Sequence, residues 1–146
     1  MTTFIKKKFE VEEESTSMTF KSGQFIKPPF SLEQKNIYLI GMRGSGKTTL
    51  GKALALALGC KMVDTDVVLV GNAGQTIEEI VNAQGWEHFR SLEEQTLLQV
   101  SALPGKVVAT GGGIVLSAAN RDLMYKTGVS FYLAADAALL TGRIMT

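Results

Sequence analysis

From Asn36 onward, short apolar runs alternate with longer amphipathic stretches, and glycines mark most of the change-overs. The run "NIYLI" ends at Gly41, and "KTTLGKALALAL" then carries Leu50, Leu54 and Leu58 at i, i+4 and i+8 before Gly59. This pattern predicts strand, loop and helix in that order. "KMVD" predicts a second short strand running into "DTD", followed by an apolar helical turn or two over Val67 to Val70 that closes at "GNAG". Thr76 and Glu79 have the T-x-x-E spacing of a capping box, which starts a helix that ends near Gly85. "WEHFRSLEEQTLLQV" puts Phe89, Leu92 and Leu97 on one helical side, and Pro104-Gly105 stops it. "KVVAT" reads as a buried strand meeting "GGG", Ser117 caps a helix through Lys126, "VSFYL" is a fourth strand, and "ADAALLTGR" begins another helix.

Strands alternating with helices predict an α/β fold with a parallel sheet, whose ligands bind at the carboxyl ends of the strands. Three motifs fall at such ends: the loop after Gly41, "DTD" and "GGG". The preceding residues 1–35 behave differently. They lack a sustained period, carry the charge block "KKKFEVEEE" and end in "KPPF", where two prolines interrupt regular structure. They read as a flexible N-terminal extension, with a docking arm built on Phe20, Phe25 and Phe30 as the alternative, and the folded domain occupies 36–146.

Composition narrows the function classes. The extension has six Lys and five Glu, and the domain has nine basic and nine acidic side chains, so nothing in the charge balance suggests a nucleic-acid footprint. No run approaches membrane-spanning length and no apolar stretch follows the N-terminal lysines, so the expectation is a cytoplasmic protein without membrane contact. Cys60 and His88, one of each type, supply neither an internal disulfide nor a zinc cluster.

The strongest chemical signal is Gly41-x-x-x-x-Gly46-Lys47-Thr48, set between an apolar strand and a helix, the context a phosphate-binding loop requires. Backbone N–H groups around Gly44, Ser45, Gly46, Lys47, Thr48 and Thr49 would cradle the phosphates of a nucleotide. Lys47 would bridge the β and γ phosphates, and Thr48 would offer its hydroxyl to Mg²⁺.

The remaining residues ask what receives the phosphate. "VDTD" ends the second strand, which puts Asp64 and Asp66 on one side of an extended segment, near the loop if the first two strands are neighbours; Asp64 then suits Mg²⁺ through water, and Asp66 suits substrate hydroxyls and the proton they release. A turn and a helix cap would also explain the pair. Arg90 has Glu93 and Glu94 at i+3 and i+4, which fits a surface salt-bridge helix or a steadied fork gripping a substrate carboxylate. Gly111, Gly112 and Gly113 suit a strand-exit turn or a stretch of bare backbone that a substrate can approach.

Taken in order, "GMRGSGKTT", "DTD", "GQTIEEIVNAQGWEHFR" with Glu93, and "VVATGGGI" resemble the shikimate kinase family over Asn36 to Thr146. The resemblance implies a three-layer P-loop kinase fold. It also implies transfer of the ATP γ-phosphoryl group to the 3-hydroxyl of shikimate in the chorismate pathway to aromatic amino acids. Lys47, Asp66 and Arg90 match catalytic positions, Asp66, Arg90 and Gly111 to Gly113 shikimate contacts, Asp64 the Mg²⁺-linked acid, and Arg143 an arginine flanking adenine. The family pattern continues past "TGRIMT" into a lid, a last edge strand and a final helix, so the expectation is a C-terminally incomplete domain with weakened activity. A monomer is expected of a complete chain, and self-association through the sheet edge of this one. Two other functions stay open: a non-catalytic binding remnant or regulatory module, and a P-loop kinase for another small polyol.

Overall fold

A computed structural model describes residues 30–134, and the fold is built on a four-stranded parallel sheet in the order β2-β3-β1-β4. The strands are β1 (Asn36–Ile40), β2 (Lys61–Asp64), β3 (Lys106–Ala109) and β4 (Gly128–Tyr132). The helices are α1 (Lys47–Leu58), α2 (Thr65–Ala73), α3 (Ile77–Ser101) and α4 (Ala118–Thr127), with a 3-10 turn at Ile114–Leu116.

Successive residues of β1 point to opposite faces, and each face has its own core. Ile37 and Leu39 pack with Val107 and Ala55 on the α1 side, where Leu50, Leu54 and Leu58 close over them. Tyr38 and Ile40 pack with Val108, Leu97, Val100 and Met124 on the side of α3 and α4. Both faces of a parallel sheet are thereby covered, which is why these strands read as continuous apolar runs. Phe30 and Leu32 also pack on the α1 side, so the last residues of the expected extension lie against the domain, while Phe20 and Phe25 lie outside the described residues.

The capping box forms as expected: Glu79 N–H donates to Thr76 Oγ1 at 3.1 Å, and Thr76 N–H donates to Glu79 Oε2 at 3.0 Å. Gly85, at φ 84 and ψ 171, breaks the helical run inside α3, a conformation only glycine adopts readily. Two expectations change. The apolar turn after "DTD" is a nine-residue helix that begins at Thr65. β3 lies between β1 and β2, so the second strand does not neighbour the first. The helix expected from "ADAALLTGR" falls outside the described residues, as does Arg143.

Candidate active site

The carboxyl ends of β1 and β3 lie side by side, and the segments leaving them, with Asp64, Asp66 and one side of α3, line a cleft of about 1020 Å³. The Gly41 to Gly46 loop makes one wall. Gly46 takes the left-handed conformation (φ 87) as N-cap of α1, which turns the chain sharply enough to start the helix at Lys47. Lys47 is buried, and its Nζ donates to the carbonyl oxygens of Gly41 and Met42 at 2.6 and 2.8 Å. Burial holds its pKa below the ordinary lysine value, against the pull of the Asp66 and Asp64 carboxylates.

The two aspartates reach this loop by a route that differs from the expected one. Asp64 ends β2 and caps α2, its Oδ1 accepting from the N–H groups of Asp66 and Val67 at 2.9 and 3.3 Å. Asp66 stands in the first turn of that helix, so the pair does not share a side of one extended strand. The remaining Asp64 oxygen, Oδ2, accepts from Thr48 Oγ1 at 2.9 Å, which joins the phosphate loop to the second motif across the site. Asp64 is thus both a helix cap and a partner of the loop hydroxyl. Burial raises the Asp66 pKa above the usual aspartate value, and the Asp64 charge adds to this, while Lys47, Arg90 and Arg43 oppose it.

Arg90 is not part of an exposed salt-bridge helix. Its Nη1 donates to Glu93 Oε1 at 2.9 Å, and Glu93 is 2% exposed. Burial drives the Glu93 pKa upward, and the Arg90 hydrogen bond and charge restrain it. Glu94 points elsewhere and accepts from Ser117 Oγ at 2.6 Å. The guanidinium also lies against two rings, 5.4 Å from the Trp86 centroid and 5.3 Å from that of Phe89. Charge spacing alone does not predict these ring contacts; the signal in the sequence is Trp86 and Phe89, four residues and one residue before Arg90.

The glycine triplet makes room for charged side chains. A Cβ on Gly111 would stand 2.7 Å from Asp66 Oδ1 and 3.0 Å from Glu93 Oε2. A Cβ on Gly113 would overlap the Arg90 guanidinium. Gly112 faces the backbone of the phosphate loop, 3.3 Å from Arg43 N. Two of the three glycines are therefore already approached closely by side chains of the site, and Gly112 is the exposed one. Thr65, between the aspartates and unremarked in the sequence, accepts a hydrogen bond from Gly111 N–H at 3.0 Å.

The residue classes needed for phosphoryl transfer thus converge: an anion-binding loop with a lysine, a hydroxyl and a carboxylate, a second carboxylate, and a braced guanidinium. Compared with known proteins, a family model described as shikimate kinase matches residues 43–146. Shikimate kinase 2 of an Enterobacter species is 52% identical over 108 residues, covering 74% of this chain and 62% of its own length. The shikimate kinase 2 of Photorhabdus laumondii is 47% identical over 109 residues, covering 75% and 62%. This chain therefore spans about 62% of the length of these curated relatives. Among solved structures, shikimate kinase from Acinetobacter baumannii, determined in complex with shikimate, superposes with a TM-score of 0.74 at 36% identity, covering 77% of this chain and 63% of that one. Shikimate kinase from Aquifex aeolicus gives a TM-score of 0.70 at 30% identity, covering 74% and 64%.

Proposed function

The chain belongs to the shikimate kinase family, and from that membership we propose that its cleft transfers the γ-phosphoryl group of ATP to the 3-hydroxyl of shikimate, within the chorismate pathway to aromatic amino acids. One observation carries the reading: Lys47, Thr48, Asp64, Asp66, Arg90 and Glu93 all line a single cleft.

Each residue then has a task. Loop N–H groups from Gly44 to Thr49 and the positive end of α1 hold the phosphates, and Lys47 exchanges the Gly41 and Met42 carbonyls for β and γ phosphate oxygens. Arg90, braced by Glu93, grips the shikimate carboxylate in its planar fork. That grip directs the substrate hydroxyls toward Asp66, which takes the proton as the 3-hydroxyl oxygen bonds to the γ-phosphorus and the bond to the β,γ-bridging oxygen breaks, releasing ADP. Gly112 offers bare backbone to the substrate at the cleft wall.

The donor set fits Mg²⁺. Thr48 and Asp64 present hard oxygens 2.9 Å apart, and among the described residues no cluster of three or more His, Cys, Asp or Glu could hold a metal ion. Magnesium suits such a site because it takes one or two protein oxygens and completes its shell with water and phosphates. Thr48 would hold it directly and Asp64 through water. When bound, it supplies charge neutralisation at the phosphate oxygens. Arg143 flanks the adenine in this reading. No described helix is long and apolar enough to cross a membrane. From the family we place the protein in the cytoplasm.

The chain's one tryptophan, Trp86, lies over Arg90 and reports on that end of the cleft. Titration with shikimate should change its fluorescence saturably, and Arg90→Met should abolish the change. An uncharged cyclic polyol that gives the same response would replace shikimate with an acceptor lacking a carboxylate.

A further inference from the structure

The last paired residues of the β2 and β3 ladder are Asp64 and Ala109; past this point Thr65 turns into α2, while Thr110 still donates its N–H to Leu39 of β1. One more link joins the two segments. Thr65 Oγ1 accepts from the buried N–H of Gly111 at 3.0 Å, which continues the ladder by a side-chain rung. Thr65 is 1% exposed, so no water replaces this acceptor easily.

Resting on the kinase reading above, we propose that Thr65 is a positioning residue, its hydroxyl pinning the start of α2 to Gly111 and so holding the Asp66 carboxylate where it meets the acceptor hydroxyl. Three contacts meet at this junction. Thr65 grips Gly111 from one side, and the Asp66 carboxylate lies close against the same glycine, 2.7 Å from where its Cβ would be. The Asp66 N–H is held in turn by Asp64 Oδ1 at 2.9 Å. Valine would fill the same buried space, so what threonine adds is the acceptor. Without it, Gly111 loses its hydrogen-bond partner and the glycine turn is free to shift relative to Asp66. Arg90 is anchored separately through Glu93 on α3, which separates the loss of alignment from the loss of substrate grip.

The test compares wild type with Thr65→Ser, Thr65→Val and Thr65→Ala. For shikimate phosphorylation, kcat should fall on the order of 100-fold in Thr65→Val, the scale of a small misplacement of a reacting group. KM for shikimate should stay near wild type, and Thr65→Ser should restore kcat. Equal kcat in Thr65→Val and wild type overturns the proposal, and so does an undiminished loss in Thr65→Ser. A wild-type chain that makes no product removes the kinase reading, and amide hydrogen exchange then decides the role of Thr65 on its own. Faster exchange at both Gly111 and Asp66 in Thr65→Val or Thr65→Ala, with Val108 unchanged, supports positioning. Faster exchange at Gly111 only, or at Val108 in both variants, makes Thr65 a packing residue and overturns it.

Discussion

Arg90 Nη1 donates to Glu93 Oε1 at 2.9 Å across a steep gradient of exposure, the arginine side chain 36% exposed and the glutamate 3%. A carboxylate in that position fixes one side of the guanidinium fork and leaves the other side open to the cleft. Burial of the Glu93 carboxyl penalises its charged form, and the Arg90 hydrogen bond and charge oppose that penalty, so removing either partner is costly.

Glu93→Gln keeps the volume and removes the charge. Calorimetric titration should show shikimate affinity falling on the order of 10-fold, about 1.4 kcal/mol, with kcat less affected than KM. Unchanged affinity would show that Arg90 needs no brace.

The glycine triplet separates grip from chemistry. Gly113→Ala puts a methyl into the Arg90 guanidinium, and displacing that group leaves the buried Glu93 carboxylate without its partner, so KM for shikimate should rise and stability should fall by roughly 1 to 3 kcal/mol. Gly111→Ala instead meets the Asp66 carboxylate most closely, at 2.7 Å, with Glu93 Oε2 at 3.0 Å, and should lower kcat by a larger factor than it raises KM. Steady-state kinetics beside thermal denaturation distinguishes the two patterns, and equal effects on KM and kcat in both variants would contradict the assignment.

Asp66 links stability to pH. Its carboxyl pKa is raised in the folded chain above the ordinary value of 3.8, first by burial and then by Asp64. The folded state therefore holds its proton more tightly than the unfolded state, and stability falls as pH rises from about that value through the raised pKa. Asp66→Asn should melt a few degrees above wild type at pH 7 while losing turnover, and the gain should vanish once the pH is low enough to protonate Asp66 in both states. A lower melting temperature at pH 7 would mean that the attractions of Lys47, Arg90 and Arg43 outweigh the burial.

How much of this was legible in the sequence follows from the range of each interaction. The phosphate loop and the Thr76 and Glu79 box are local patterns, and both have the predicted elements around them. The break at Gly85 was equally local. Asp64 and Asp66 were found as residues but misplaced in geometry, because strand order is set by tertiary packing and the capping power of Asp64 pulls Thr65 into helix at once. Spacing could not choose between Glu93 and Glu94, both one turn from Arg90. The packing of α3 buries the first and turns the second to Ser117. Thr65 gave no signal at all, since its partner is 46 residues away and is a backbone N–H.

The most direct measurement is mass-spectrometric detection of shikimate 3-phosphate after incubating the chain with ATP, Mg²⁺ and shikimate, with Lys47→Ala as background. Removing the lysine ammonium should lower product at least about 100-fold, the scale seen when a preorganised charge-stabilising group is lost. Wild-type product well above that background is the predicted result. A folded wild-type chain that yields no more than Lys47→Ala would contradict the kinase assignment for this chain.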